Sequence, residues 1–134
     1  ETEKEILETI QWCVDLGVYP SLFAFTPIPG TALENHPSPA LGYYRRVQVA
    51  RYLIVHGKTR CEKMKFDKDG RLINFGIPRE QVWQTVKTGS PFLTSGCPSC
   101  NRPYYNERPS GPMYNYPRPP SLEEIAEIEK QVKI

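Results

Sequence analysis

An apolar run, Val18-Tyr19-Pro20-Ser21-Leu22-Phe23-Ala24-Phe25, passes directly into a rigid turn, Thr26-Pro27-Ile28-Pro29-Gly30-Thr31. The aromatic, nearly continuous run predicts a strand buried on both faces, as in a parallel sheet. Just upstream, Thr2 to Leu16 predicts an amphipathic helix. Thr2 and Glu5 form a capping box, Ile6, Leu7, Ile10, Cys13 and Val14 recur at helical spacing, and Gly17 is a fitting stop. Cys13 falls on the apolar stripe and is expected to be a small buried hydrophobe. Helix, short turn and buried strand make half of a βαβ repeat, so the fold class is α/β. Ligands in such folds bind at the carboxyl ends of strands. The turn at 26–31 is therefore either a ligand-facing loop, offering backbone groups and one hydroxyl, or a plain stiff connection. Local chemistry leaves both readings open.

The chain then continues through further elements. Ser38 can cap a helix with Pro39 at its first position. That helix runs from Leu41 to His56, with Tyr43, Tyr44, Val47, Ala50, Leu53 and Ile54 on one face, and Gly57 ends it. Arg45, Arg46 and Arg51 are expected on its solvated side. His56 suits the C-terminal turn, where imidazolium is favoured, better than metal ligation. Cys61–Phe66 and Arg71–Phe75, joined by Asp67-Lys68-Asp69-Gly70, read as a β-hairpin. The aspartates could suggest calcium, but the other ligands of such a loop are missing. Arg79–Lys87 is a short helix with Val82, Trp83 and Val86 inward, ended by Gly89. Ser121 with Glu124 caps a last helix through Ile125, Ile128 and Val132.

Composition bounds the function. A chain of 134 residues has room for one domain, and 39% hydrophobic residues supply a modest core. A net charge of +2, with basic residues scattered, gives no reason to expect nucleic acid. There is no apolar run of membrane-spanning length and no signal peptide. Cys13, Cys61, Cys97 and Cys100 without a secretory signal do not read as a disulfide framework, which points to a reducing, cytoplasmic compartment. The chain opens on Glu1 inside a helical pattern, and it is expected to be a piece of a longer protein.

The segment Ser90–Pro120 is irregular. It holds eight of the fourteen prolines and four of the eight tyrosines. Disordered linkers are poor in aromatics, so this segment is expected to be ordered and wrapped over the body of the protein. Within it, Cys97-Pro98-Ser99-Cys100-Asn101-Arg102-Pro103-Tyr104-Tyr105-Asn106-Glu107-Arg108-Pro109 has no helical or strand period. CxxC spacing lets two thiolates meet one metal or cluster. A third must come from afar, and Cys61, at the start of a strand, is the natural candidate. Three cysteines suit an iron–sulfur cluster. Zinc would need a fourth ligand, with His56 and Cys13 as poor candidates, and unliganded structural thiols are the third reading. A purely redox CxxC should open a helix, which Pro98 and the following Asn-Arg-Pro argue against.

These stretches carry a resemblance. The first helix with Asp15-Leu16-Gly17-Val18, the apolar run and Thr26-Pro27-Ile28-Pro29-Gly30-Thr31 resemble the late βα units of radical S-adenosylmethionine enzymes, closest to the biotin synthase and lipoyl synthase branch. Gly96 to Glu107, followed by Gly111-Pro112-Met113-Tyr114-Asn115-Tyr116-Pro117, is similar to the tail of biotin-synthase-like proteins found chiefly in archaea. Some of those are subunits of a two-component lipoyl synthase.

The resemblance implies the C-terminal portion of a full or partial TIM-type barrel. Residues 1–57 would be its late βα units, and 58–134 an extension with the hairpin, short helices and the Pro- and Tyr-rich tail. It implies an auxiliary [4Fe–4S] cluster on Cys61, Cys97 and Cys100. Thr26, Pro27, Pro29, Gly30 and Thr31 would line the S-adenosylmethionine site of the parent. Arg102 and Arg108 could clamp a carboxylate or the methionine part of that cofactor, since a guanidinium fork suits carboxylates; Glu107 can instead pair with one of them. The implied partners are the missing N-terminal barrel half, a second radical enzyme subunit and a lipoyl-type or other small or acyl substrate. No CxxxCxxC occurs in the chain, so it is expected not to cleave S-adenosylmethionine alone. The alternative is a zinc-stabilised, non-catalytic binding module.

Overall fold

The computed structural model describes residues 1–96, 100 and 113–133. Among them are four helices and one two-stranded antiparallel sheet, a mixed α/β arrangement. Helix α1 is Glu3–Asp15 and α2 is Leu41–Val55. A 3-10 turn, Cys61–Lys63, leads into β1 (Lys65–Phe66) and β2 (Leu72–Asn74). Helix α3 is Arg79–Thr88, a second 3-10 turn is Ser90–Phe92, and α4 is Leu122–Val132.

The helix ends follow local chemistry. Thr2 caps α1, its Oγ1 accepting from Glu5 N at 3.2 Å while Glu5 Oε2 accepts from Thr2 N at 2.8 Å. Ser121 and Glu124 make the same reciprocal pair at α4. Gly89 ends α3 in the left-handed conformation. The start of α2 departs from expectation: its N-cap is Ala40, without a side-chain bond, and Ser38 and Pro39 lie outside the helix. The hairpin turn is closed by Asp67, whose Oδ1 accepts from Asp69 N and Arg71 N, both at 2.9 Å. Strand β1 is shorter than its expected span because Cys61–Lys63 winds into the 3-10 turn.

Helix α2 is the centre of the fold. It packs against α1, α3, α4 and the turn at Ser90–Phe92. Every residue from Tyr44 to Arg51 is buried. Val47, Ala50 and Leu53 meet Leu7 and Ile10 of α1, Leu72, Val82, Val86, Phe92 and Ile128 in one core. Each fully buried Leu or Phe contributes about 1.5–3 kcal/mol. The expected solvated side of α2 does not exist. Arg45, Arg46 and Arg51 are all buried, because neighbours cover the helix all round.

The expected buried strand at 18–25 is also absent. Residues 18–28 form no strand, and Val18 and Tyr19 are exposed. A parallel strand exists only between neighbours that supply its ladder, and the described residues contain only the hairpin.

Two local predictions follow from this packing. Gly70 has φ +79°, and a Cβ there would lie 2.7 Å from Thr2 Cβ, where the hairpin turn meets the α1 cap. Gly70→Ala should cost more than about 1 kcal/mol in urea unfolding, since both the φ and the contact resist it. At α4, the Arg118 guanidinium beside Glu124 (2.7 Å) pushes its carboxyl down to about 2, opposed by burial and aided by the Ser121 cap. A depressed carboxyl stabilises the fold above its unfolded value and loses that contribution as pH falls. Stability should therefore decline from roughly pH 5 to about 2, and Glu124→Gln should flatten that part of the profile.

Candidate functional site

Two segments singled out from the sequence are joined in space. Ser21 Oγ donates to Ser95 O at 2.9 Å, and Leu22 N donates to Ser95 Oγ at 2.9 Å. The chain leading into Thr26–Thr31 thus lies beside the chain leading into Cys97–Cys100. Cys100 continues this junction. A Cβ built on Gly96 would stand 3.3 Å from Cys100 Sγ and 3.9 Å from Phe23 Cζ, so any side chain at 96 would crowd the thiol.

The turn at 26–31 is closed by its own groups. Thr31 Oγ1 donates to Ile28 O at 2.7 Å, and Gly30 N, at φ +83°, donates to Glu34 Oε2 at 2.8 Å. Thr26, Pro29, Gly30 and Thr31 are exposed and Pro27 is half-buried. Beyond the turn, residues 22–25 and 36–40 with the start of α2 enclose a cavity of about 570 Å³. His36 stands edge-on to Phe25 there, centroids 5.3 Å apart.

The described flank at 113–116 is held by α2. Arg45 Nη1 donates to Tyr114 O at 2.6 Å and to Gln48 Oε1 at 2.9 Å. Its Nη2 donates to Met113 O at 2.5 Å, and Nε to Gln131 Oε1 at 3.0 Å. The guanidinium also lies 5.6 Å from the ring centroids of Phe92 and Tyr116. Gln48 Nε2 donates to Tyr114 O at 2.8 Å, and Asn115 Nδ2 to Tyr44 Oη at 3.0 Å. Backbone bonds Thr94 N to Tyr116 O (2.9 Å) and Tyr116 N to Phe92 O (2.8 Å) bring the two flanks of the tail together. Sequence reasoning expected an ordered tail and missed the buried polar side chains that anchor these flanks. The available signal was α2 itself, whose Arg45, Arg46, Gln48 and Arg51 spread round the helix and leave no separate polar face.

Cys61 sits elsewhere, in the 3-10 turn against α1. Its N donates to Gln11 Oε1 at 3.0 Å, and it shares a cleft with Trp12, Met64 and Phe66. Arg60 staples this turn to α1 through Asp15, at 2.9 and 3.1 Å. Burial pushes the Cys61 thiol up, and Glu8 and Glu62 add to that, so the thiolate is disfavoured in this core position. Cys13 is half-buried rather than fully buried, because α1 leaves it at the edge of a cavity. His56 caps the end of α2, exposed, with its ring 4.2 Å from that of Tyr52.

Among the described residues no three His, Cys, Asp or Glu side chains gather in a way that could hold a metal ion. Cys97, Arg102 and Arg108, with Tyr104, Tyr105, Asn106 and Glu107, lie outside the described residues. Cys100 is a free, half-buried thiol, the residue type a soft metal takes as donor. Burial first, and then the charges of Glu8 and Glu62, disfavour the Cys61 thiolate that ligation requires. Among the described residues no helix is long and apolar enough to cross a membrane. No protein-family model, no curated protein and no solved structure matches this chain.

Proposed function

We propose that this chain is the C-terminal part of a radical S-adenosylmethionine enzyme of the biotin synthase and lipoyl synthase-like branch. In this reading the parent inserts sulfur into an acyl substrate, and Cys97 and Cys100, with Cys61 as third ligand, hold an auxiliary [4Fe–4S] cluster. The cluster would supply sulfur. This chain's own part is to hold Cys100 beside the approach to Thr26–Thr31, where Thr26, Pro27, Pro29, Gly30 and Thr31 would line the S-adenosylmethionine site of the parent. Arg102 and Arg108 would bind carboxylate on the cofactor or substrate. The partners would be the N-terminal barrel half with its CxxxCxxC, a second radical enzyme subunit and the acyl substrate, in the cytoplasm.

The observation that supports this reading is the Ser21–Leu22–Ser95 junction, with Cys100 near Gly96 and Phe23. The two sequence stretches that resemble the family meet there.

The test is iron and acid-labile sulfide analysis with a visible spectrum, on the chain reconstituted without oxygen. Iron and sulfide in matching amounts are expected, and Cys97→Ser and Cys100→Ser should each lose them. Cys61→Ser decides the third ligand: loss of the visible band assigns it, and an unchanged spectrum returns Cys61 to the core. The chain alone should form no 5′-deoxyadenosine. Zinc without sulfide would overturn the reading in favour of a zinc-stabilised module.

A further inference from the structure

Away from the cysteine segment, α1, residues 20–22 and Arg51 enclose a cavity of about 660 Å³, a size typical of small-molecule sites. Ile6, Ile10 and Leu22 give it apolar walls, and Cys13 stands at its edge. Its polar end is Arg51, which is only 6% exposed. Arg51 Nε donates to Pro20 O at 2.7 Å, and the Tyr19 ring covers the guanidinium at 5.0 Å. Nη2, however, is shielded from water and has no hydrogen-bond partner. Among the described residues it is the one buried side-chain nitrogen or oxygen so placed.

A guanidinium cannot shed its charge to relieve burial. Buried polar groups are almost always partnered, so an unpaired N–H on a guanidinium that lines an apolar cavity marks a cation short of an acceptor. We propose that this cavity binds a small carboxylate with an apolar tail. The carboxylate would pair with the guanidinium of Arg51, and the tail would run along Ile6, Ile10 and Leu22. A planar carboxylate matches the guanidinium fork. Glu1 and Glu5 at the cavity lining repel negative charge, which favours a monoanion over a phosphate dianion. This proposal stands independently of the role of the cysteines.

The experiment is calorimetric titration of the full chain with straight-chain carboxylates from butanoate to decanoate, alongside the matching alcohols and alkyl phosphates. One molecule should bind per chain. Affinity should rise about four-fold per added methylene until the cavity is filled. The alcohols and phosphates should bind at least about ten-fold more weakly, since they lack the planar charged acceptor. Arg51→Met should weaken the carboxylates by at least a similar factor. Cys13→Trp, which puts an indole into the cavity against Ile6 and Ile10 and keeps Arg51, should weaken binding of the longer carboxylates at least about ten-fold. Saturating decanoate should slow alkylation of Cys13 in the unsubstituted chain, read by peptide mass mapping. No carboxylate binding, equal binding of acid and alcohol, or full binding by Cys13→Trp would each overturn the proposal. If Arg51→Met does not fold, the acid–alcohol comparison and Cys13→Trp still decide it.

Discussion

Replacing Glu3 by Leu should cost about 3–5 kcal/mol of stability, the usual penalty for breaking a buried ion pair from one side. For a domain of this size that is a fall in Tm of roughly 10–20 °C. Glu3 is 2% exposed although it sits in the first turn of α1. Its Oε1 accepts from Arg46 Nε at 2.7 Å, with Arg46 Nη2 at 2.5 Å. Its Oε2 accepts from Leu72 N, the first residue of β2. One carboxylate therefore joins α1, α2 and the hairpin. Arg46 Nη1 reaches Val132 O at 3.4 Å and extends the link to α4. Removing Glu3 leaves a buried guanidinium uncompensated and a strand N–H without an acceptor. The double variant Glu3→Leu/Arg46→Met removes the stranded charge too, and should be more stable than Glu3→Leu alone. Urea unfolding of the four proteins in the cycle measures this coupling. A loss below about 1 kcal/mol for Glu3→Leu would mean the pair is no better than a surface ion pair.

Arg45→Met should be comparably severe, about 3–5 kcal/mol, because charged hydrogen bonds to buried acceptors are costly to lose. Methionine preserves much of the apolar volume and removes every donor. Met113 O, Tyr114 O, Gln48 Oε1 and Gln131 Oε1 would each lose a bond. Arg45→Lys should rescue little. A single ammonium cannot reach, from one point, the partners that the guanidinium holds with three nitrogens. Amide hydrogen exchange gives a local readout. Thr94 N and Tyr116 N bond across the flanks of the tail that Arg45 holds. Their protection should fall further than that of Val47 and Ala50 in α2. A uniform loss of protection would instead make Arg45 a general core residue with no particular hold on the tail.

Much of the secondary structure was legible because its signals are local. The capping boxes at Thr2–Glu5 and Ser121–Glu124, the left-handed glycine after α3 and the Asp67 turn depend on residues within four positions of each other. Side chains of that reach choose their backbone conformation whatever surrounds them. Residues 18–25 failed the same reasoning. Their composition suits a buried strand, but a strand is a relation between segments, and nothing in eight residues states who the neighbour is. The arginines of α2 failed for a related cause. A charged residue reads as exposed by default, and its burial depends on acceptors far along the chain: Glu3 for Arg46, residues 113, 114 and 131 for Arg45, and Pro20 for Arg51.

The candidate site divides in the same way. Thiol spacing in Cys97-Pro98-Ser99-Cys100 and the rigidity of Thr26–Thr31 are properties of the sequence alone. That the chain before one lies hydrogen-bonded to the chain before the other, through Ser21, Leu22 and Ser95, is a property of the tertiary structure. So are the burial of Cys61 in the core and the unpaired nitrogen of Arg51. By itself, the sequence determined helix ends, the hairpin turn and which residues could carry chemistry, since these follow from covalent structure and contacts a few residues long. Only the tertiary structure decided which polar groups are buried, which are paired and how deeply each described thiol is buried, because desolvation and pairing are set by neighbours distant in the chain.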